Sequence, residues 1–198
     1  MGARTLDKNS IRKYSIWART ELLRIITNKL SQLGLNEFSD YKVLTILNNN
    51  ELSEIEQKRL KSLFFKIKSV GYKQLIEDIA VIWFCRFSAI RFMEVNGYLH
   101  DDDLPTKREN LLTFCQNKLK NKLVSLCNKL NSILPKMFKK SDDYTFIFLT
   151  EDLFDEGSII YRLVMDIPEK DWDKNVQIIG WLYQFYNSEQ KDKVFEDL

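Results

Sequence analysis

A stretch of apolar and aromatic residues at 72–96 constrains the fold of this chain more than any other feature. Its apolar side chains fall on all sides of a helical wheel rather than on one stripe. A helix of that kind must be surrounded by other elements, because no single neighbour can cover every face. The pattern therefore predicts a mainly α fold, an irregular multi-helix bundle around this central buried helix, with little or no β structure.

Four residues of the central helix are predicted to form its structural core. Trp83 and Phe87 lie one turn apart and supply large apolar surfaces. Arg91 and Glu94 stand three residues apart and are predicted to pair, since a lone charge inside a bundle would be very costly. Gly97 follows as the expected end of the helix.

The composition fits such a bundle. The chain has 198 residues, 44% of them hydrophobic, with only 6 Gly and 3 Pro, and this balance favours helices. No apolar run reaches the roughly 18 residues that a membrane helix needs. The amino terminus also lacks the charged-then-apolar pattern of a secretion signal. We therefore expect a soluble cytoplasmic protein without a membrane partner.

Capping signals predict where the other helices of the first 140 residues begin. Asp7 is predicted to cap a first helix that extends to about residue 33. Ser53 and Glu56 form a capping box that opens a second helix, which extends to about residue 70. Thr106 and Glu109 form another capping box, and its helix is predicted to end near residue 134, before Pro135.

The last third of the chain is less regular. Residues 144–150 are aromatic or β-branched at their apolar positions, which is compatible with a short extended segment, but the segment is too short to decide. A helix is predicted over 158–166, followed by a turn at 168–172. Asp173 is predicted to cap a further helix through Tyr186, and 188–198 has a helical pattern.

The charges of the chain are distributed unevenly. Residues 1–140 hold 25 Lys+Arg against 14 Asp+Glu, whereas residues 141–198 hold 5 against 14. We therefore divide the chain into a basic helical amino-terminal domain, 1–140, and an acidic helical subdomain, 141–198. Two interpretations stay open at this point. The two parts attract each other as ordinary solvated surfaces, or the basic part meets nucleic-acid phosphate.

Five cations are the candidates for contact with a phosphate backbone. Three of them stand mostly off the apolar stripe of the first helix, and two precede the change of charge. They are Arg12, Lys13, Arg19, Lys139 and Lys140.

Evidence for catalytic chemistry is weak. His100 followed by three aspartates suggests a magnesium site with a proton relay, but contiguous acids before a helix usually serve solvation and the helix dipole. Cys85, Cys115 and Cys127 form no Cys-x-x-Cys pair and are predicted to be buried thiols. The isolated glycines fit neither a dinucleotide loop nor a P-loop. We predict no catalytic residue, no cofactor-binding residue and no metal site.

Several sequence blocks together carry a resemblance to a known family. They are the segment 8–22, the segment 80–99 with Arg-Phe-Met-Glu-Val-Asn-Gly-Tyr at its core, Asp-Ile-Pro-Glu-Lys-Asp-Trp at 166–172, the aromatic segment 178–186, and 188–195. In this order they resemble the amino-terminal region of the PglX family, the adenine-specific DNA methyltransferases of BREX phage-exclusion systems. Cys85 and the acidic loop after His100 depart from the family pattern.

The resemblance implies a role for this chain. Members of that family continue into a domain that uses S-adenosylmethionine to methylate adenine, and then into a target-recognition region. By resemblance, this chain is a helical accessory domain with no catalytic activity and no cofactor of its own. Its expected partners are its own methyltransferase domain, double-stranded DNA and other BREX proteins.

Two other functions are kept as alternatives. The chain could be a protein-interaction scaffold of a defence complex that never touches nucleic acid. It could instead be a free-standing metal hydrolase, whose activity would be lost on His100→Ala.

Overall fold

The computed structural model describes residues 6–38, 52–99, 111, 120–140 and 143–188. In these ranges the chain forms seven α-helices and two 3-10 helices, and contains no strand. The predicted mainly α bundle is therefore confirmed. The helices are α1 (Lys8–Gln32), α2 (Glu54–Val70), α3 (Tyr72–Val95), α4 (Lys120–Leu130), α5 (Ile159–Met165), α6 (Glu169–Trp172) and α7 (Gln177–Tyr186).

The predicted helix starts and ends agree closely with the structure in the first hundred residues. The Asp7 carboxylate caps α1 by accepting hydrogen bonds from the backbone N–H groups of Asn9 and Ser10. The capping box of Ser53 and Glu56 is present at the start of α2. Gly71, with φ of 86°, lies between α2 and α3, and its backbone conformation is one that other residues rarely adopt. Thr106 and its capping box lie outside the described residues.

Helix α3 lies at the centre of the bundle. It packs against α1, α2, α5, α6 and α7. The Trp83 and Phe87 rings are fully buried and stack with their centroids 5.2 Å apart. The Trp83 indole also donates a hydrogen bond of 3.0 Å to the carbonyl of Thr145. The core that the sequence predicted around this helix is thus built partly from the last third of the chain.

Helices from both sides of the predicted boundary at residue 140 share one core. Helix α7 lies along α1, and Phe84 of α3 packs on Tyr186 of α7 at 4.3 Å between ring centroids. The Tyr14 hydroxyl on α1 donates to the carbonyl of Ile159 at 3.1 Å. The division into 1–140 and 141–198 stays a prediction about the sequence, but the two parts are in close contact.

The conformation of residues 144–150, which the sequence left undecided, is not extended. Residues Tyr144–Phe148 and Glu151–Phe154 form 3-10 helices. The Asp143 carboxylate accepts from both the backbone N–H of Thr145, at 2.9 Å, and its hydroxyl, at 2.6 Å, which closes a tight turn. An aromatic and β-branched composition favours a strand only where a neighbouring strand can pair with it.

Asp173 does not cap the last helix, which begins at Gln177, four residues later than its predicted cap. Lys174 takes a left-handed conformation with φ of 52°, and its backbone N–H donates to Asn96 Oδ1 at 2.6 Å. That long-range bond holds the chain in a turn where the sequence predicted a helix start.

No helix in the described ranges is long and apolar enough to cross a bilayer.

Candidate functional site

The most distinctive sequence block, residues 91–97, forms a polar clamp at the carboxyl end of α3. Arg91 Nη1 donates to Glu94 Oε2 at 2.9 Å, as the three-residue spacing predicts, and Arg91 Nη2 lies 3.7 Å from Glu169 Oε2. The side chains of Arg91 and Glu94 are only 5% and 10% exposed. Burial raises the pKa of Glu94, and the neighbouring Arg91 opposes that shift. Glu94 Oε1 also accepts from the backbone N–H of Leu111 at 3.3 Å.

Asn96 completes this clamp, although its role was not predicted. Its side-chain amide donates to the carbonyl of Phe92 at 2.8 Å and to that of Trp172 at 3.0 Å. Its side-chain oxygen accepts from the backbone of Lys174. One asparagine thereby joins the end of α3 to the turn after α6. The sequence signal was Asn96 directly before a glycine, but its distant partners could not be read from that pattern.

Two blocks of the resemblance therefore meet in space. Arg91 and Asn96, in the block 80–99, contact Glu169 and Trp172, in the block 166–172. The Asp171 carboxylate also accepts from the backbone N–H of Asp7, at the start of α1, at 3.2 Å. These signature residues serve chiefly to fix helices to one another.

A second buried arginine, Arg86, is held by neutral acceptors. Its guanidinium donates to the carbonyl of Met137 at 2.9 Å and to the hydroxyl of Thr145 at 2.8 Å. It also lies over the ring of Trp83, 4.8 Å from the centroid. Burial lowers the pKa of Arg86, while the charge of Asp143 opposes the shift. This arginine links α3 to the turn after α4, at Met137, and to the 3-10 helix that contains Thr145.

The five candidate phosphate-binding cations are placed differently in the structure. Arg12, Lys13, Lys139 and Lys140 are exposed. Arg19 is 6% exposed and not on the outer face of α1 as expected, because its Nη2 pairs with Glu77 Oε1 on α3 at 2.6 Å. Its guanidinium also lies over the Tyr186 ring at 5.3 Å. Contact of any of the five with DNA stays a prediction, and Arg19 already has an acidic partner.

The structure brings three other cations together that the sequence did not single out as a group. Burial lowers the pKa of Lys120, at the start of α4, and the charges of Lys29 and Arg59 lower it further, while Glu151 raises it. Lys29, Lys120 and Glu151 all line a polar pocket of about 270 Å³. Each cation lies on a different helix, so only the packing of the helices could show that they converge. Because acidic side chains such as Glu151 lie among these cations, the surface carries both positive and negative charge.

The two described cysteines, Cys85 and Cys127, do not have the properties of reactive thiols. Burial raises the pKa of the Cys85 thiol to about 11 and that of the Cys127 thiol to about 12, so neither is a ready thiolate. Cys115 and the loop of His100 with its aspartates lie outside the described residues. Within those that are described, no group of His, Cys, Asp and Glu is suited to hold a metal ion.

The chain is similar in sequence to two known adenine-specific methyltransferases. No family model matches it. The chain is 30% identical over 237 aligned residues to the adenine-specific methyltransferase BrxX of Escherichia coli O9:H4 (strain HS), and the match covers 96% of this chain and 19% of that protein. It is 28% identical over 248 aligned residues to the adenine-specific methyltransferase PglX of Lacticaseibacillus casei (strain Zhang), covering 96% of this chain and 20% of that protein.

The chain thus spans about a fifth of the length of the curated relatives it matches. That share is consistent with their amino-terminal region. The resemblance read from the sequence blocks is confirmed, and the chain corresponds to one region of the larger PglX-type adenine-specific methyltransferases.

Proposed function

We propose that this chain is the amino-terminal helical accessory region of a BREX-type adenine-specific DNA methyltransferase. The observation that carries the proposal is the match of 96% of the chain to only about a fifth of two such enzymes. In this proposal the S-adenosylmethionine site and the catalytic residues belong to the remainder of the enzyme. The region itself performs no catalysis, and the enzyme acts in the cytoplasm.

The accessory role has two parts in this proposal. The helical core supports the methyltransferase domain, and the exposed cations contact the DNA backbone. Arg12, Lys13, Lys139 and Lys140 are the proposed contacts, because their side chains are exposed and cationic. The same region could also contact other BREX proteins. Arg19 is left out of the proposed contacts because its guanidinium is already paired with Glu77.

Salt-dependent binding of the 198-residue chain to duplex DNA tests the backbone contact. Four phosphate contacts predict a slope of log affinity against log salt concentration of about −3.6, since each contact contributes about −0.9. Binding would be followed by fluorescence anisotropy of a labelled duplex. Affinity that does not change with salt would contradict the proposal.

A charge-reversal pair and a matched control identify the surface. Arg12→Glu with Lys13→Glu should weaken binding and reduce the slope by about 2. Lys61→Glu with Lys68→Glu changes the net charge of the chain equally but alters exposed residues of α2. Equal losses in both variants would show a general charge effect. No DNA binding even at low salt would favour the protein-interaction scaffold instead.

A further inference from the structure

An apolar groove opens between α3 and α7 on the surface of the bundle. Its cavity measures about 240 Å³, and none of the side chains that line it is charged. Along α3 its floor includes Cys85, Ala89, Phe92 and Met93, which recur at helical spacing and are only half-buried. The central helix was expected to be covered on every side, but in the part of the chain that the structure describes this stripe is only half-buried.

The opposite wall is formed by α7. Ile179, Leu182 and Tyr183 line the groove, and the Tyr183 side chain is 53% exposed. Helix α7 contains no charged residue along its whole length, Gln177–Tyr186. An uncharged helix that borders an apolar cavity fits a binding surface, because a contiguous apolar patch, unlike a single exposed side chain, marks an interaction site.

The third side of the groove is held in place by two partly buried hydrogen bonds. Leu134 and Met137 line it. The carbonyl of Met137 accepts from Arg86, while that of the fully buried Phe138 accepts from Asn131 Nδ2 at 2.6 Å. The groove is therefore largely preformed, so binding would cost little reorganisation.

The size of the cavity indicates the kind of occupant. Sites for drug-sized molecules usually measure about 300–1,000 Å³, and this cavity is smaller. It has room for one or two apolar side chains. A polypeptide helix can insert such side chains from one face, as amphipathic helices do in hydrophobic grooves.

The charges around the groove indicate the chemistry of the helix. Lys136, Lys139 and Lys140 are exposed and stand within three residues of Met137, which lines the groove. We propose that the groove binds an acidic amphipathic helix of a partner polypeptide, with leucine-type side chains in the cavity and carboxylates toward these lysines. This inference does not depend on the methyltransferase assignment, although it uses Lys139 and Lys140, which are also proposed DNA contacts.

Methionine methyl groups provide a direct test on the 198-residue chain. Met93 and Met137 line the groove, whereas Met165 is 56% exposed and lies on α5, outside it. The probe is a helical peptide of about 18 residues with leucines three or four residues apart on one face and glutamates elsewhere. We expect its titration to shift the carbon-13 methyl signals of Met93 and Met137 to saturation while that of Met165 stays in place.

Two substitutions localise the binding. Ala89→Phe fills the groove from α3 and should weaken peptide binding at least about fivefold, the loss expected when one anchor is excluded. Val176→Phe adds the same ring at an exposed position that does not line the groove, and it should leave binding unchanged. In a variant with Lys136, Lys139 and Lys140 replaced by Gln, the peptide should still shift the methyl signals of Met93 and Met137. Its affinity, and the dependence of that affinity on salt, should both be lower.

Control ligands decide between this occupant and others. A peptide of the same composition with its leucines scattered, or one with lysines replacing the glutamates, should bind more weakly. The proposal is overturned if all peptides act alike or if Met165 shifts as much as Met93. It is equally overturned if anionic lipid vesicles alone shift the groove methyls, or if these signals change with protein concentration because a second copy occupies the groove.

Discussion

Helices α2 and α3 follow each other with only Gly71 between them, and they differ in how their ends and faces are stabilised. Helix α2 has a complete capping box, two acids in its first turn and Lys68 in its last. Only Leu63 and Ile67 of its 17 residues are buried. Its helical conformation is therefore stabilised largely by short-range interactions, each worth a fraction of a kcal/mol to about 1 kcal/mol.

Helix α3 lacks every one of those local devices. It has no side-chain cap, no acid in its first turn and no base in its last, but eleven of its 24 residues are buried. Its stability comes from packing and from long-range bonds, such as those of Arg86 to Thr145 and of Asn96 to Trp172. The block 80–99 of the resemblance thus lies in a helix whose stability depends on contacts with residues far away in the sequence.

The largest loss of stability is expected when a substitution disrupts the packing of α3. Trp83→Ala removes a fully buried ring and its bond to Thr145, and should lower the free energy of unfolding by about 3–5 kcal/mol. Phe65→Ala on α2, where the ring is 59% exposed, should cost about 0.5 kcal/mol or less. Urea unfolding followed by circular dichroism measures both. Similar values for the two variants would contradict the difference between the helices.

The next effect concerns the buried ion pair. Arg91→Met leaves the Glu94 carboxylate without its main partner and should cost about 3 kcal/mol, because an uncompensated buried charge is strongly destabilising. The double variant Arg91→Met with Glu94→Leu should recover most of that loss. If the double variant is as unstable as the sum of the two single ones, the pair is not the cause.

A smaller effect tests the clamp at the end of α3. Asn96→Ala removes three hydrogen bonds and leaves the carbonyl of Trp172 and the N–H of Lys174 without this partner, at a cost of about 2 kcal/mol. Asn187→Ala removes a single bond to the carbonyl of Tyr183 in the neighbouring turn, and should cost less than half as much. Equal unfolding free energies for the two variants would argue against the clamp.

The smallest effect is a difference in pH dependence between the two helices. Hydrogen bonds from Ser53 lower the pKa of Glu56 below 4.5, so its stabilisation is present above that pH and is lost as pH falls. Burial raises the pKa of Glu94 above 4.5, so protonation of Glu94 favours the folded state as pH falls toward 4.5.

Glutamine variants separate these two contributions. The stability of the unmodified chain minus that of Glu56→Gln should decrease as pH falls below 4.5, whereas the difference for Glu94→Gln should increase as pH falls toward 4.5. Unfolding curves across this range give both differences. If both differences changed in the same direction as pH falls, the burial of Glu94 would not be what governs its protonation.

Features that depend on neighbouring residues could be predicted well. The starts of α1 and α2, the glycine between α2 and α3, and the pairing of Arg91 with Glu94 all follow from short spacings. The apolar pattern of α3 was sufficient to identify it as the central helix. These are the interactions in which local sequence and packing agree.

Features that depend on how the helices are rotated against each other could not be predicted. Arg19 was placed on the outer face because it stands off the apolar stripe. It is buried because α3 brings Glu77 against it, and that contact depends on how α1 and α3 pack. The left-handed Lys174 is bonded to Asn96, at the end of α3, and the 3-10 helix at Tyr144–Phe148 adds bonds from Trp83 and Arg86 to its local Asp143 turn. The groove beside α7 is likewise a property of three elements together.

Amide hydrogen exchange of the 198-residue chain measures whether α3 is the most stable element of the bundle. If α3 is the buried helix that holds the bundle together, its amides from Ile79 to Ile90 should exchange only on global unfolding, while those of α2 exchange sooner through local opening. Ser53→Ala should then speed exchange in α2 and leave α3 almost unchanged. Exchange in α3 as fast as in α2 would contradict the account.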